Sequence, residues 1–308
     1  MPAQATDALD RVQRTVALGV TPAGQNRFRL ALRVQRRGAE TDDLVETIRK
    51  KAKNEVDVRY VGRVVRQAPW EQTRVRPLRI GTSIGHHLIT AGTLGCFVKL
   101  KRGGDICLLS NNHVLANEDA AKQGDAILQP GTYDGGKKSQ DVVGKLGPFV
   151  KLKKTGRNQV DAALAILSKR IDFDPSVLRG GGKLAGVVGP DLSEFEIVEK
   201  LGRTTGRTSG RISAFELDNV VVAYDMGNIR FDDQIEIESS SALKPFSQGG
   251  DSGSLIFTKR ERLALGLLFA GSDQGGSNGA GLTYANPFTA VLSKLKAELV
   301  LDRNGVDG

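Results

Sequence analysis

Aromatic side chains are scarce in this chain: Phe, Trp and Tyr supply 5% of its 308 residues, with a single Trp. Proteins that hold single-stranded nucleic acid stack bases on aromatic platforms. No aromatic run of that kind, no zinc-finger spacing and no basic-zipper repeat is present. The formal net charge of +9 therefore reads as a solvated basic surface. Its Lys and Arg are spread over 27–37, 49–53, 59–79 and 151–157 rather than gathered in one motif. Nucleic-acid binding would explain the charge and no other feature. There are only two cysteines, Cys96 and Cys107. They read as free thiols of a cytoplasmic protein, on facing arms of a hairpin. No stretch approaches the ~18 apolar residues that span a bilayer. Residues 1–18 are polar and mixed in charge, unlike a secretory leader.

Glycine is plentiful, 37 of 308 residues, while proline stands at 10 and no repeat is visible. That excess points to many tight turns between short strands. Residues up to about 20 read as a helix and a connector. From Phe28 to Val34 apolar and polar residues alternate as in a half-buried strand, and again from Val56. Between them Thr41 is placed as an N-cap, Asp42 and Asp43 fall in a first helical turn, and Lys50, Lys51 and Lys53 crowd the last. Residues 27–66 thus form a β-α-β unit, followed by a Pro-containing charged linker over 67–79. The division expected is an accessory domain and linker over 1–75 and a second domain over 76–308.

From Ile80 onward short apolar runs are separated by glycines. Leu94–Leu100 and Ile106–Leu109 flank Lys101–Asp105 as a hairpin, and further short strands follow, which indicates a sandwich or barrel. Asn286 and Pro287 read as the start of a helix with Phe288, Val291, Leu292, Leu295 and Leu299 on one face.

Three segments carry chemistry together. Ser110-Asn111-Asn112-His113 follows an apolar run, Asp161 opens the run Ala162–Leu167, and Gln248-Gly249-Gly250-Asp251-Ser252-Gly253-Ser254 surrounds one serine with glycines. Singly, each is a strand end, a cap or a turn. In combination and in this order they resemble the trypsin/chymotrypsin-fold serine proteases over roughly residues 80–300. The segment Leu201-Gly202-Arg203-Thr204-Thr205-Gly206 is similar to a hairpin of the streptogrisin-type members. Gly92-Thr93-Leu94-Gly95, Gly266–Ser272 and Ala285-Asn286-Pro287 are similar to the narrow-leaf trypsin-like branch.

The resemblance implies a mainly β fold of two six-stranded antiparallel barrels with a C-terminal helix, beside the small N-terminal α/β domain. It implies a serine endopeptidase acting on protein or peptide, without metal or cofactor. His113 would be the base, Asp161 its orienting acid and Ser252 the nucleophile, with the N–H groups of Gly250 and Ser252 as oxyanion donors. Phe246 occupies the position where trypsin-like members carry an aspartate, so cleavage after Lys or Arg is not implied. Phe246, Phe269 and Gly271 are expected to bind substrate, with Gly281 leaving the first pocket open to an apolar side chain. Asp251, once buried, demands a cationic partner. An internal Lys or Arg is expected in that role, ahead of a new N-terminus released at Arg79-Ile80. Ser254 stands where the family usually has Gly. The alternative is a catalytically quiet member that binds peptide strands, with the N-terminal domain as a recognition module.

Overall fold

The computed structural model describes residues 16–24, 27–62, 69–89, 91–189 and 197–302. The chain divides into two compact units, residues 1–67 and 68–308. The segment read as a linker from residue 69 on is thus built into the second unit, where Val75 and Leu78 are buried.

In the first unit β1 (Val16–Pro22), β2 (Phe28–Val34) and β3 (Val56–Tyr60) form one sheet, with β2 central, antiparallel to β1 and parallel to β3. The parallel step β2-to-β3 is made by α1 (Ala39–Lys51). Leu32, Val34 and Val45 are buried together, with Val16, Ile48, Val56 and Val58 around them. A helix was expected before residue 20. Instead Val16–Pro22 is a strand, whose backbone groups pair with β2, and residues 1–15 lie outside the described residues. Thr41 is not the N-cap: the helix starts at Ala39 after Gly38, without a side-chain cap, and Thr41 is buried in the first turn. Arg49, Lys50 and Lys51 close the last turn, where cations meet the negative end of the helix dipole.

The second unit is mainly β. Its first half contains β4 (Leu78–Arg79), β5 (Ser83–His86), β6 (Gly92–Thr93), β7 (Cys96–Leu100), β8 (Ile106–Ser110), the one-turn helix α2 (Asn112–Leu115), β9 (Ala126–Leu128), β10 (Val142–Phe149), β11 (Ala163–Leu167) and β12 (Phe173–Asp174). The second half contains β13 (Gly186–Val187), β14 (Ile197–Gly202), β15 (Gly206–Leu217), β16 (Val220–Tyr224), β17 (Gly227–Phe231), β18 (Gln234–Ser239), β19 (Leu255–Thr258), β20 (Leu263–Gly271), β21 (Leu282–Pro287), α3 (Phe288–Leu295) and β22 (Ala297–Leu299).

In the second half β14, β15, β18, β21, β20 and β19 pair in that order and β19 returns to β14, closing a six-stranded barrel. The first half forms an open sheet in the order β22-β7-β8-β11-β10-β9-β5-β6. Strand pairing therefore closes one barrel, where two were expected. At one end of the open sheet β6 has only two residues, and the Thr93 N–H bonds the Ser252 carbonyl at 2.8 Å instead of another strand. At the other end β22, from the far end of the chain, occupies the free side of β7.

Leu299 accordingly belongs to a strand paired with Val98, because the helix stops where Lys296 takes a left-handed conformation at φ 50°. A continuous core runs through both halves, including Phe97, Leu108, Leu109, Leu164, Phe257, Leu267 and Phe288. Each such fully buried large side chain contributes about 1.5–3 kcal/mol.

Candidate active site

Strand pairing explains how residues 48 apart in sequence meet. β8 and β11 are antiparallel with Ser110 opposite Ala163, so the residues just beyond β8 face those just before β11. His113 lies on α2 directly after β8, and Asp161 precedes β11. His113 Nδ1 and Asp161 Oδ2 are 2.6 Å apart.

Asp161 is fully buried, and its whole residue is held. Oδ1 accepts from the Asn112 N–H at 2.6 Å, the Asp161 carbonyl accepts from Asn111 Nδ2 at 2.7 Å, and the Asp161 N–H donates to Asn286 Oδ1 at 2.9 Å. Oδ2 also accepts from the Tyr224 hydroxyl at 2.7 Å. Donors on both oxygens hold the buried carboxylate in place, and it in turn fixes the imidazole beside it. Burial alone would push the His113 imidazole down. The charge and hydrogen bond of Asp161, with the charge of Glu118, outweigh it and raise the imidazole above its usual range.

Ser252 sits between β18 and β19, on a loop that needs left-handed backbone at Gly250 (φ 93°) and Gly253 (φ 90°). A Cβ at Gly250 would also lie 2.5 Å from Arg203 Nη1 and Thr204 Oγ1, so only glycine fits. Thr93 organises the loop from the other half of the unit. Its N–H donates to the Ser252 carbonyl at 2.8 Å and its hydroxyl to the Gly250 carbonyl at 2.9 Å. With both carbonyls tied back, the N–H groups of Gly250 and Ser252 have no acceptor among the described residues.

Gly92, beside Thr93, stands where the segment of His113 and the loop of Ser252 meet. The Val114 side chain, next to His113, and the Ser252 carbonyl, at 2.9 Å, both crowd the point where a Gly92 Cβ would stand. His113 Nε2 and the Ser252 hydroxyl are not hydrogen-bonded to each other in this structure.

Asp251 is turned inward and fully buried beside Lys200 Nζ at 3.3 Å, itself fully buried. It also accepts from the N–H groups of Thr204, Thr205 and Gln248 at 2.8, 3.1 and 3.0 Å, and from the Thr205 hydroxyl at 2.7 Å. Burial lowers the Lys200 ammonium, and Asp251 partly offsets this. The cationic partner of Asp251 is thus an internal lysine. Ile80, at the alternative start, is itself buried, and the N–H of Gly81 is used by the Leu94 carbonyl. Ser254 buries its hydroxyl against the Asp251 carbonyl at 2.6 Å.

A cleft of about 550 Å³ opens beside Ser252, lined by Pro245, Ser247, Gln248, Gly249, Leu268, Ala270, Gly271, Ser272, Asp273 and Ala280. Of the expected substrate-binding residues, Gly271 lines it. Phe246 and Phe269 do not. Phe246 is buried in the barrel core with Ile212 and Ile237, and Phe269 packs on Phe231 at a centroid distance of 4.7 Å. Along β20 the register breaks between Leu268 and Ala270, leaving Phe269 as the extra residue; Leu268, Ala270 and Gly271 line the cleft while Phe269 turns away from it. Ala280 is on the wall where Gly281 was expected. The wall is of mixed polarity. Asp273 contributes a carboxylate, and the Ser247 hydroxyl lies 2.7 Å from that of Thr283.

No family model and no curated protein matches this sequence. Solved structures do. The chain is similar to Thermobifida fusca protease A, at 18% identity and a TM-score of 0.49 over 72% of this chain and 98% of that one. It is similar to a glutamic acid-specific serine protease, at 21% identity and 0.49 over 72% and 99%. It is also similar to Cellulomonas bogoriensis chymotrypsin, at 18% and 0.48 over 72% and 98%.

Four residues of the site escaped sequence reasoning. Tyr224 ends the strand β16, and nothing local in sequence ties it to Asp161. Lys200 follows Glu199 in a short strand, and nothing local points to Asp251, 51 residues on. Thr93 looks like an ordinary strand residue. Asn286 was read as a helix cap, whereas the helix begins at Phe288 without a side-chain cap, and the Asn286 side chain is spent on the Asp161 N–H and, through Nδ2, on Gln234 Oε1 at 2.6 Å. Asn286 alone left a signal: a buried Asn before Pro at the end of a strand has both amide atoms to satisfy.

Proposed function

We propose that the protein is a serine endopeptidase in which His113, Asp161 and Ser252 act as one unit. The observation that carries this is the 2.6 Å contact between His113 Nδ1 and the fully buried Asp161, set beside a glycine-flanked serine whose loop has two uncommitted N–H groups. Nδ1–H is held by Asp161, which leaves Nε2 as the unprotonated nitrogen that accepts the Ser252 proton. Ser252 Oγ then adds to the scissile carbonyl carbon, and the carbonyl π electrons move to oxygen, where the N–H groups of Gly250 and Ser252 receive the charge. The imidazolium gives its proton to the leaving amine, the C–N bond breaks, and an acyl-enzyme remains. Water, deprotonated by His113, releases the acid by the same path in reverse.

The cleft beside Ser252 receives the side chain preceding the cut bond, and its serine hydroxyls and the Asp273 carboxylate suit a polar or cationic group at its rim better than a wholly apolar one. The N-terminal unit would recruit protein substrates or partners. The two buried, unpaired thiols fit a cytoplasmic enzyme: burial pushes Cys96 up and Cys107 up to about 12, so neither is reactive at neutral pH.

One observation favours a catalytically quiet peptide-binding member: the absent hydrogen bond between Ser252 and His113. In apo enzymes this bond is often long and tightens only with substrate. Fluorophosphonate labelling separates the readings. Wild type is expected to label at Ser252 and to cleave members of a peptide library, while Ser252→Ala keeps its melting temperature and loses at least about 10³-fold in turnover. A folded wild type that neither labels nor cleaves would leave the binding-module reading standing.

A further inference from the structure

Asp161 Oδ2 receives two donors, and only one of them belongs to the base. His113 Nδ1 lies at 2.6 Å and the Tyr224 hydroxyl at 2.7 Å. The Tyr224 ring stands edge-on to the His113 imidazole, with centroids 5.8 Å apart and planes at 69°. Tyr224 therefore touches both members of the pair, one through its hydroxyl and the other through its ring.

The element that brings it there is independent of both sheets. Among the described residues, β16 and β17 form a two-stranded hairpin that pairs with no other named strand, and β17 pairs further only through a bridge between Phe231 and Asn158. Its tip is clipped to the turn behind His113: the Asp225 and Met226 N–H groups donate to the two Glu118 carboxylate oxygens at 3.1 and 2.9 Å. Its body is anchored by Ile229 and Phe231, which pack with Leu152 and Phe269. The same packing that removes Phe269 from the cleft thus seats the hairpin across the His–Asp pair.

We infer that Tyr224 is a positioning residue for the proposed reaction, its hydroxyl fixing the Asp161 carboxylate and sharing its negative charge with His113. The inference rests on the peptidase reading for its role in turnover, and on geometry alone for its effect on His113. A second donor on the same carboxylate oxygen stabilises its charge and so weakens its pull on the proton of the first. Tyr224 therefore limits how strongly Asp161 stabilises the imidazolium and keeps the base from being trapped in its protonated form. The hydroxyl is suited to this, because burial and then the Asp161 charge hold it well above the usual phenol range, so it remains a donor. The other groups bearing on His113 are Asp161 and Glu118, both acidic. Tyr224 is thus the neutral member of the set.

The test uses the full-length protein in the Ser252→Ala background, so that the His113 ring can be titrated by NMR whether or not the enzyme turns over. Tyr224→Phe is expected to raise the His113 pKa by about half a unit or more. Incorporation of 3-fluorotyrosine at position 224, a stronger donor of nearly the same shape, should move it the other way. With Ser252 intact, Tyr224→Phe should lower kcat about tenfold with KM within twofold, and the acid limb of kcat/KM should follow the titration. A hydroxyl that merely fills a buried position would lower the melting temperature of Tyr224→Phe and leave the titration unmoved; that result, or two shifts of the same sign, overturns the inference. If the two titrations move in opposite directions but wild type never cleaves a peptide, the peptidase reading fails and the control of His113 by Tyr224 stands. If wild type cleaves and the titration is unmoved, Tyr224 alone is lost.

Discussion

His113 works between two opposing influences, burial that favours the neutral ring and Asp161 that favours the charged one, and Asp161 with Glu118 prevails. The sign of the consequence follows directly. A base must be neutral to accept a proton, so kcat/KM should rise with pH through a limb above the ordinary imidazole value of about 6.5. The same shift links to stability in the opposite sense. A raised folded-state value means that the charged ring stabilises the fold below its unfolded value, and this contribution is lost as pH rises through the folded value. Activity therefore grows over the window in which this stabilisation fades. A pH profile with its limb below 6, measured beside thermal melts across the same range, would contradict the assignment. At this scale residue type and order were enough to single out His113, Asp161, Ser252 and the glycines as candidates, and the structure brings His113 and Asp161 into contact. The sequence was uninformative for Tyr224 and Thr93, whose importance is a matter of which atoms meet across unrelated strands.

Strands were legible because alternation and turn glycines are local signals. The hairpin of Cys96–Leu100 with Ile106–Ser110, and the apolar run that became β11, stand where periodicity put them. Specificity was not legible, because Phe246 and Phe269 differ from cleft residues only in which way a strand or loop turns them, and a shift of one residue reverses that. β14 shows another effect that only three dimensions reveal. It carries Lys200 into the barrel, where the ammonium meets Asp251 and also donates to the Gly206 carbonyl at 3.1 Å. Replacing Lys200 by Met preserves bulk but leaves a buried carboxylate without its cation. The remaining N–H and hydroxyl donors soften the loss, and about 3 kcal/mol of destabilisation is expected from urea melts. A change under 1 kcal/mol would mean that those donors alone balance the charge. Because Asp251 precedes Ser252 directly, fluorophosphonate labelling of Lys200→Met should slow as well.

Across the second unit, the closed barrel and the open sheet are joined at several sites of different kinds. Thr93 ties the serine loop to β6, Asn286 ties the barrel strand β21 to Asp161, and the core runs through both halves without a break. In the proposed reaction the base comes from one half and the nucleophile from the other, so turnover would depend on their registry. The strand β22 adds a consequence of its own. Its three residues cover the outer side of β7, with Ala297, Glu298 and Leu299 opposite Leu100, Lys99 and Val98. Removing residues 296–308 would uncover a row of backbone donors and acceptors on β7, a strand with Lys99 as its one charge, and so a template for another molecule. The truncated protein should then self-associate in a concentration-dependent way by sedimentation, where the full chain does not, and a monomeric truncation would show that side chains alone protect that border. The short strand β22 would then serve as a guard against unwanted polymerisation, contributed by a segment remote in sequence from the strand it protects.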